Sequence, residues 1–229
     1  MMRIRAILYD VAQLLWLLPF GLIAPLTMLS RPLAVPFALL WIRGNLVLLR
    51  VICGIRVRYE GLEHMPDSPA IFASKHQSTL DTYALLNRLH CPSFVLKQSL
   101  LKIPVFGWYL WRLSPIAINR KAGSQALKQI RDDGQDRLAH DLPIVIFPEG
   151  TRKPVGAEPD YQAAGVFTLY KLGAPLIPVA LDTGRYWPKR WLTKYPGTSI
   201  IRFLPAIEPG LNKKDFMARL EEVIERETL

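Results

Sequence analysis

The chain has 229 residues, half of them hydrophobic, with a mean hydropathy of +0.15 and a formal net charge of +10. This length suits one catalytic core with an accessory segment. A chain both apolar and basic is expected to contact an anionic surface, which leaves nucleic acid, anionic lipid and an acidic protein open at this level. The two cysteines, Cys53 and Cys91, suggest neither a disulfide framework nor a metal cluster, which indicates the reducing cytosol.

Residues 1–55 are predicted to form a helical membrane anchor. Residues 6–29 are apolar except for Asp10, and no small-residue cleavage site follows them, which counts against a signal peptide. In the second apolar stretch, residues 33–53, Arg43 and Arg50 share one helix face, as in a helix that lies in the interface and turns its basic face to phosphate. Burying either charge near the bilayer centre would cost about 2.5–3.5 kcal/mol. The pattern favours a shallow hairpin that enters from one side, with a single spanning helix as the alternative.

Residues 56–229 are predicted to form one α/β domain, because short apolar runs alternate with amphipathic stretches. Strands are predicted at Arg56–Tyr59, Ala70–Ala73, Ser93–Lys97, Pro115–Asn119, Pro143–Phe147, Leu176–Leu181 and Ser199–Leu204. Helices are predicted at 79–89, 99–112, 122–138, 162–172 and 213–226. This order indicates a mixed, largely parallel sheet flanked by helices.

The segment from Phe72 to Asp81, FASKHQSTLD, ends a strand and begins a helix, which is where open α/β sheets bind ligands. Ser78 and Asp81 have the spacing of a capping box. His76 would lie just outside the helix, where Asp81 can accept a hydrogen bond from one imidazole nitrogen and leave the other as a general base. Alone, this pair is more typical of a capping aspartate beside a structural histidine.

A second segment, Ile144 to Arg152, reads IVIFPEGTR and runs from a strand into a tight turn. The turn presents Glu149 and Arg152 at the carboxyl edge of the sheet, and arginine suits bidentate binding of a phosphate. A polar surface turn with an ion pair is the alternative for this segment alone.

Together, His-x4-Asp and FPEGTR resemble the glycerolipid acyltransferase family, over residues 56 to 181. Two weaker blocks follow the family order: Lys97 to Arg120, and the proline-bearing strand Leu176–Leu181. The sequence departs from the common family pattern at Lys75, Asn119 and Gln162, which leaves the acceptor open.

The resemblance implies an α/β acyltransferase fold with His76 and Asp81 as the catalytic dyad. It implies that Arg120 helps to bind the phosphate of the acceptor, with Arg152. The expected substrate-binding residues are Lys97, Arg120, Glu149, Gly150, Thr151 and Arg152. Glu149 is expected to bind a glycerol hydroxyl or to orient an arginine. No metal and no cofactor beyond the acyl donor is expected.

The implied activity is transfer of a fatty acyl group from acyl-CoA or acyl-carrier protein to the sn-2 hydroxyl of lysophosphatidic acid, giving phosphatidic acid. The alternative acceptor is another lysolipid, such as a lyso-ornithine lipid. Outside this class stands a non-catalytic lipid-binding protein, which would not need both motifs. A condensation domain fits poorly, because Lys75 rather than a second histidine precedes His76. Nucleic-acid binding would not explain the apolar first fifty residues.

Two further stretches are expected to contact lipid. Residues 185–195 alternate aromatic and basic side chains, which suits the headgroup layer, with docking of CoA phosphates or an acidic carrier protein as the alternative. The predicted membrane contacts are Arg43, Arg50, Trp187, Lys189, Arg190 and Trp191. The apolar residues from Leu100 to Trp111 are expected to line part of an acyl-chain tunnel or to touch lipid, with a buried core helix as the alternative. The partners are therefore membrane phospholipids and both substrates, with the catalytic domain on the cytoplasmic face of a bacterial inner membrane.

Overall fold

A seven-stranded sheet flanked by helices follows two long apolar helices in the computed structural model, which describes residues 2–190 and 192–228. The helices are α1 Met2–Thr27, α2 Arg31–Leu48, α3 Thr79–Arg88, α4 Phe106–Arg112, α5 Ser124–Ala139, α6 Ala163–Tyr170, α7 Thr183–Tyr186 and α8 Lys213–Glu227. The strands are β1 Ile55–Glu60, β2 Ile71–Ser74, β3 Ser93–Lys97, β4 Ile116–Ile118, β5 Ile144–Ile146, β6 Leu176–Leu181 and β7 Gly197–Phe203. Short 3₁₀ turns lie at Leu62–His64, Gln98–Lys102 and Arg120–Ala122, and a π-helical turn at Leu49–Cys53 extends α2.

The strands are ordered β1-β7-β6-β2-β5-β3-β4. All neighbours pair in parallel except β6 and β7. Strands β2, β5 and β6 are buried along their whole length, because helices cover both faces of a parallel sheet. Since β2 lies between β5 and β6, the carboxyl ends of these three strands meet at one edge, and the loops that follow them are brought together.

The structure confirms the predicted α/β fold and its largely parallel sheet, and a strand lies at each of the seven predicted positions. The helix predicted over 99–112 is wrong: a 3₁₀ turn at Gln98–Lys102 is followed by α4. Pro104 has no backbone N–H to continue a helix, and Val105 takes a φ of +62°. Gly107 fits because a Cβ there would lie 2.4 Å from the Leu101 carbonyl oxygen.

Helices α1 and α2 pack against each other and against the α/β unit. Phe20, Ala24 and Ala38 belong to the same buried cluster as Ala84 and Phe94. Met2–Thr27 and Arg31–Cys53 are each long and apolar enough to cross a membrane, a test that core helices and signal sequences also pass. The domain boundary at residue 55 stays a prediction.

Candidate active site

The turn between β2 and α3 carries the first predicted motif, and the predicted capping box is present. Ser78 is the N-cap, and its Oγ accepts a hydrogen bond from the Leu80 N–H at 3.0 Å. Asp81 Oδ2 accepts from the backbone N–H groups of Gln77 and Ser78, each at 2.8 Å. These bonds fix the carboxylate at the start of the helix, where a negative charge is favourable.

His76 and Asp81 form a hydrogen-bonded pair. His76 Nδ1 lies 3.2 Å from Asp81 Oδ1, and the carboxylate is fully buried while the imidazole is 17% exposed. The imidazole stacks on Phe147 with a centroid distance of 3.8 Å and an interplanar angle of 14°. Nδ1 therefore donates to the carboxylate, and Nε2 has no partner among the described residues. This is the arrangement of an oriented general base.

The turn after β5 lies directly beside this pair. Gly150 has a φ of +65°, which glycine adopts without strain, and its N–H donates to the Phe147 carbonyl at 2.9 Å. Glu149 Oε2 accepts the His76 backbone N–H at 2.7 Å, and the Glu149 side chain is only 1% exposed. Burial raises the pKa of Glu149, while the His76 N–H and then Lys75 oppose that rise. The carboxylate therefore supports the histidine backbone and is not among the residues that line the groove described below, so a role of Glu149 in substrate binding stays a prediction.

A buried ion cluster lies behind the pair, and no pattern in the sequence predicted it. Lys75 Nζ lies 2.6 Å from both carboxylate oxygens of Glu225 on α8 and 3.8 Å from Glu149 Oε1. Tyr161 donates to Glu225 Oε1 at 2.8 Å. A buried lysine needs carboxylate partners, and Glu225 and Glu149 supply them to Lys75.

A groove of about 560 Å³ runs from His76 along the sheet edge. The predicted residues that line it are His76, Lys97, Arg120, Gly150, Thr151 and Arg152. Arg120 Nη1 donates to the Gly150 carbonyl, and Arg152 Nη1 donates to Thr79 Oγ1 at 3.1 Å. Neither guanidinium is paired with a carboxylate among the described residues, so both are available to an anion.

The other wall of the groove is apolar and includes Leu100, Phe106 and Leu110. Phe106 and Leu110 also line a second, apolar cavity against Phe20 of α1 and Trp41 of α2. The groove thus combines cations at one end with apolar side chains that continue towards the N-terminal helices. Trp108 and Trp111 are 49% and 59% exposed and line neither space.

Of the predicted membrane contacts, Arg43, Arg50, Lys189 and Arg190 are exposed. Arg43 Nε donates to Asn87 Oδ1 at 3.2 Å. The half-buried Trp187 packs edge-on against Tyr9, with ring centroids 5.4 Å apart. Trp191 lies outside the described residues. Contact of these side chains with lipid stays a prediction.

The described residues include no group of three His, Cys, Asp or Glu side chains arranged to hold a metal ion. Cys53 and Cys91 are both buried and free. Burial raises the pKa of Cys91 to about 12, so this thiol supplies no thiolate nucleophile at neutral pH.

The family described as Acyltransferase matches residues 56–182. The 1-acyl-sn-glycerol-3-phosphate acyltransferase of Pseudomonas aeruginosa is 42% identical over 167 residues, which cover 73% of this chain and 65% of that protein. The 1-acyl-sn-glycerol-3-phosphate acyltransferase alpha of Ovis aries is 28% identical over 187 residues, 80% of this chain and 65% of that protein. The chain thus spans a little under two thirds of these relatives.

The solved structure of the 1-acyl-sn-glycerophosphate (LPA) acyltransferase PlsC from Thermotoga maritima has the same fold, with a TM-score of 0.70, 24% identity and coverage of 95% of both chains. The fold and the two motifs define an acyltransferase domain. The chain belongs to the glycerolipid acyltransferase family.

Proposed function

We propose that the chain transfers a fatty acyl group from an acyl thioester to the sn-2 hydroxyl of lysophosphatidic acid, giving phosphatidic acid. The observation that carries this proposal is the placement of the His76–Asp81 pair in a groove with one apolar wall and two arginines that have no carboxylate partner among the described residues. Such a groove suits a substrate with a phosphate at one end and a hydrocarbon chain at the other. The names of the relatives from Pseudomonas aeruginosa and Ovis aries support this acceptor.

The chemistry needs a base and no protein nucleophile. His76 Nε2 removes the proton from the acceptor hydroxyl as its oxygen attacks the thioester carbonyl, and the imidazolium is stabilised by Asp81. The tetrahedral intermediate then collapses: the carbon–sulfur bond breaks, the new ester remains, and the thiolate takes the proton from His76. General-base assistance of this kind contributes about 10²–10⁴ in rate.

Arg120 and Arg152 bind the acceptor phosphate in this proposal, because both line the groove. Because the phosphate is held, the acceptor hydroxyl stays at a fixed distance from His76. This contributes to the rate by orienting the acceptor, separately from proton transfer. Both acyl-CoA and acyl-carrier protein are donors compatible with the site. The reaction uses no metal and no further cofactor.

The proposed location is the cytoplasmic face of a bacterial inner membrane, with α1 lying in the lipid. Leu14, Leu18 and Leu22 of α1 are 65%, 63% and 84% exposed, whereas Phe20 and Ala24 are buried against the rest of the protein. One face of α1 is therefore left for acyl chains.

The test is thiol release by the detergent-purified protein given lysophosphatidic acid and either acyl-CoA or acyl-carrier protein, with lipid products identified by mass. We expect His76→Ala to lower the rate about 10²–10⁴-fold, which is the contribution that a general base typically makes. His140→Ala is the matched control, because His140 is exposed at the end of α5.

Acceptor-dependent thiol release that disappears only in His76→Ala would support the proposal. No release with either donor, from folded protein, would exclude lysophosphatidic acid and lead to a panel of other lysolipids, including lyso-ornithine lipid. Failure of that panel would overturn the catalytic function and favour a lipid-binding protein.

A further inference from the structure

A second cavity, of about 370 Å³, opens at the same edge of the sheet. Gln77 lines it, whereas the neighbouring residues His76 and Ser78 line the groove. The segment that carries the catalytic pair therefore separates the two spaces. The far wall follows β6 and is formed by Gly184, Arg185, Pro188, Lys189, Arg190, Thr193 and Tyr195. We call this space the basic cavity.

The basic cavity is lined by three cations that have no counter-ion. Arg185, Lys189 and Arg190 are exposed, and none has an ion pair or a side-chain hydrogen bond among residues 2–190 and 192–228. Three unpaired positive charges around one concave space form a site for a phosphate rather than for a neutral group.

A buried amide at the basic cavity also lacks a partner. Gln77 is 1% exposed, and its Oε1 accepts the Gly184 N–H at 3.1 Å, while its Nε2 has no hydrogen-bond partner within the described part of the chain. Buried polar groups are nearly always bonded, because an unmet donor is unfavourable. Gln77 Nε2 is thus a second, independent sign of a ligand, and it lies one residue from the catalytic histidine.

We propose that the basic cavity binds the phosphopantetheine arm of the acyl donor. This inference rests on the proposed acyl transfer. The arm carries a phosphate at one end, amide groups along its length and the acyl thioester at the other end. The phosphate binds Arg185, Lys189 and Arg190, and an amide carbonyl accepts from Gln77 Nε2. The arm then crosses the turn at Gln77, so that the thioester meets His76 and the acceptor hydroxyl in the groove.

The division between two spaces also fits the charges. Arg120 and Arg152 serve the acceptor phosphate in the groove, so the donor phosphate needs other cations. Acyl-CoA and acyl-carrier protein share the phosphopantetheine arm, and this shared chemistry is what the basic cavity recognises. A lipid surface would use the same cations, but it would not satisfy a buried amide.

The experiment is steady-state kinetics in detergent micelles with the triple variant Arg185→Gln, Lys189→Gln, Arg190→Gln. Three donors with the same acyl chain are compared: acyl-CoA, acyl-carrier protein and acyl-pantetheine, which has no phosphate. We expect KM for the first two to rise at least roughly tenfold, the loss of about 1.4 kcal/mol of binding. KM for acyl-pantetheine and for lysophosphatidic acid is expected to stay unchanged.

The matched control is Lys128→Gln, Lys213→Gln, Lys214→Gln, which removes the same charge from exposed lysines that do not line the basic cavity. A second variant, Gln77→Met, is expected to raise KM for all three donors, because all three contain the pantetheine amides.

Unchanged KM for both phosphate-bearing donors in the active triple variant would overturn this inference and leave acyl transfer standing. A rise confined to one donor would also overturn it, because the phosphate is common to both. Reduced sedimentation with anionic liposomes at unchanged donor KM would assign the three cations to lipid. An inactive wild-type protein, in contrast, would remove the proposed function itself.

Discussion

At the residue scale, Glu149 is a carboxylate that touches the histidine without facing the groove. It accepts the His76 backbone N–H, so it holds the chain from which the imidazole projects. The tight turn was predicted to present Glu149 at the carboxyl edge of the sheet, where it would bind a glycerol hydroxyl or orient an arginine. The Glu149 side chain is buried beside Lys75. This contact depends on the tertiary structure, so it could not be predicted from the residues of the turn.

The raised pKa of Glu149 has a consequence for stability. As pH rises through the ordinary value of 4.5, the unfolded chain loses this proton before the folded protein does, so the contribution of Glu149 to stability falls. We expect the unfolding temperature of Glu149→Gln, relative to wild type, to improve as pH rises from about 4 to about 7. Thermal unfolding in detergent at several pH values measures this difference.

The control for that series is Glu221→Gln, since Glu221 is exposed on α8. Its difference from wild type should not follow the trend seen for Glu149→Gln. If the wild type instead gained on Glu149→Gln with rising pH, Lys75 would be holding Glu149 ionised more strongly than water does.

At the element scale, α8 illustrates what patterning can predict. Its apolar face was visible in the sequence, and Phe216, Leu220 and Ile224 are fully buried. The same helix places Glu225 against Lys75, 150 positions away in the chain. Periodicity predicts which face of a helix is buried, but not which distant charge meets that face.

We expect Glu225→Ala to lower the free energy of unfolding by about 1–3 kcal/mol, because it leaves the Lys75 ammonium short of a partner in a buried place. Thermal or denaturant unfolding in detergent checks the value. Activity should fall as well, since Lys75 also approaches Glu149 behind His76.

Glu222→Ala is the matched control on the same helix, because its ion pair with Arg219 is exposed. Its effect should stay within about 0.5 kcal/mol. Equal effects of the two variants would mean that the buried cluster adds nothing beyond helix propensity.

The predicted strands were found because each is a short apolar run bounded by turn residues, and the capping box was found because its geometry is local. The predicted helix over 99–112 was too long, because the run of apolar residues continues across Pro104, where the structure has a break between a 3₁₀ turn and α4. Lipid contact or donor docking was predicted for the basic and aromatic residues at 185–195, but no cavity was predicted there. The cavity is concave because α7 lies next to the turn after Arg152. The sequence alone does not predict that these two segments, about 30 positions apart, are neighbours in the fold.

At the scale of the whole molecule, the α/β fold leaves one face of α1 uncovered, where Leu14, Leu18 and Leu22 are exposed. We expect Leu18→Arg with Leu22→Arg to release the protein from liposomes, because each charge near the bilayer centre costs about 2.5–3.5 kcal/mol. The measurement is the fraction of protein that sediments with the vesicles.

The matched control is Leu62→Arg with Leu211→Arg, two exposed leucines of the α/β unit. That variant should sediment as the wild type does. Undiminished sedimentation of the α1 variant would show that this face of α1 does not enter lipid.

The ion pair between Lys194 and Asp10 joins the N-terminal helices to the catalytic end of the fold. Lys194 Nζ lies 2.7 Å from Asp10 Oδ1 and 4.9 Å from the ring centroids of both Tyr9 and Trp187, with its side chain 2% exposed. Removing the first helix, for example to obtain a soluble protein for crystallisation, would leave the Lys194 ammonium buried without its counter-ion. The free energy of unfolding would fall by about 3–5 kcal/mol. To make the protein more soluble, it is therefore better to replace exposed apolar residues of α1 with polar ones than to remove the helix.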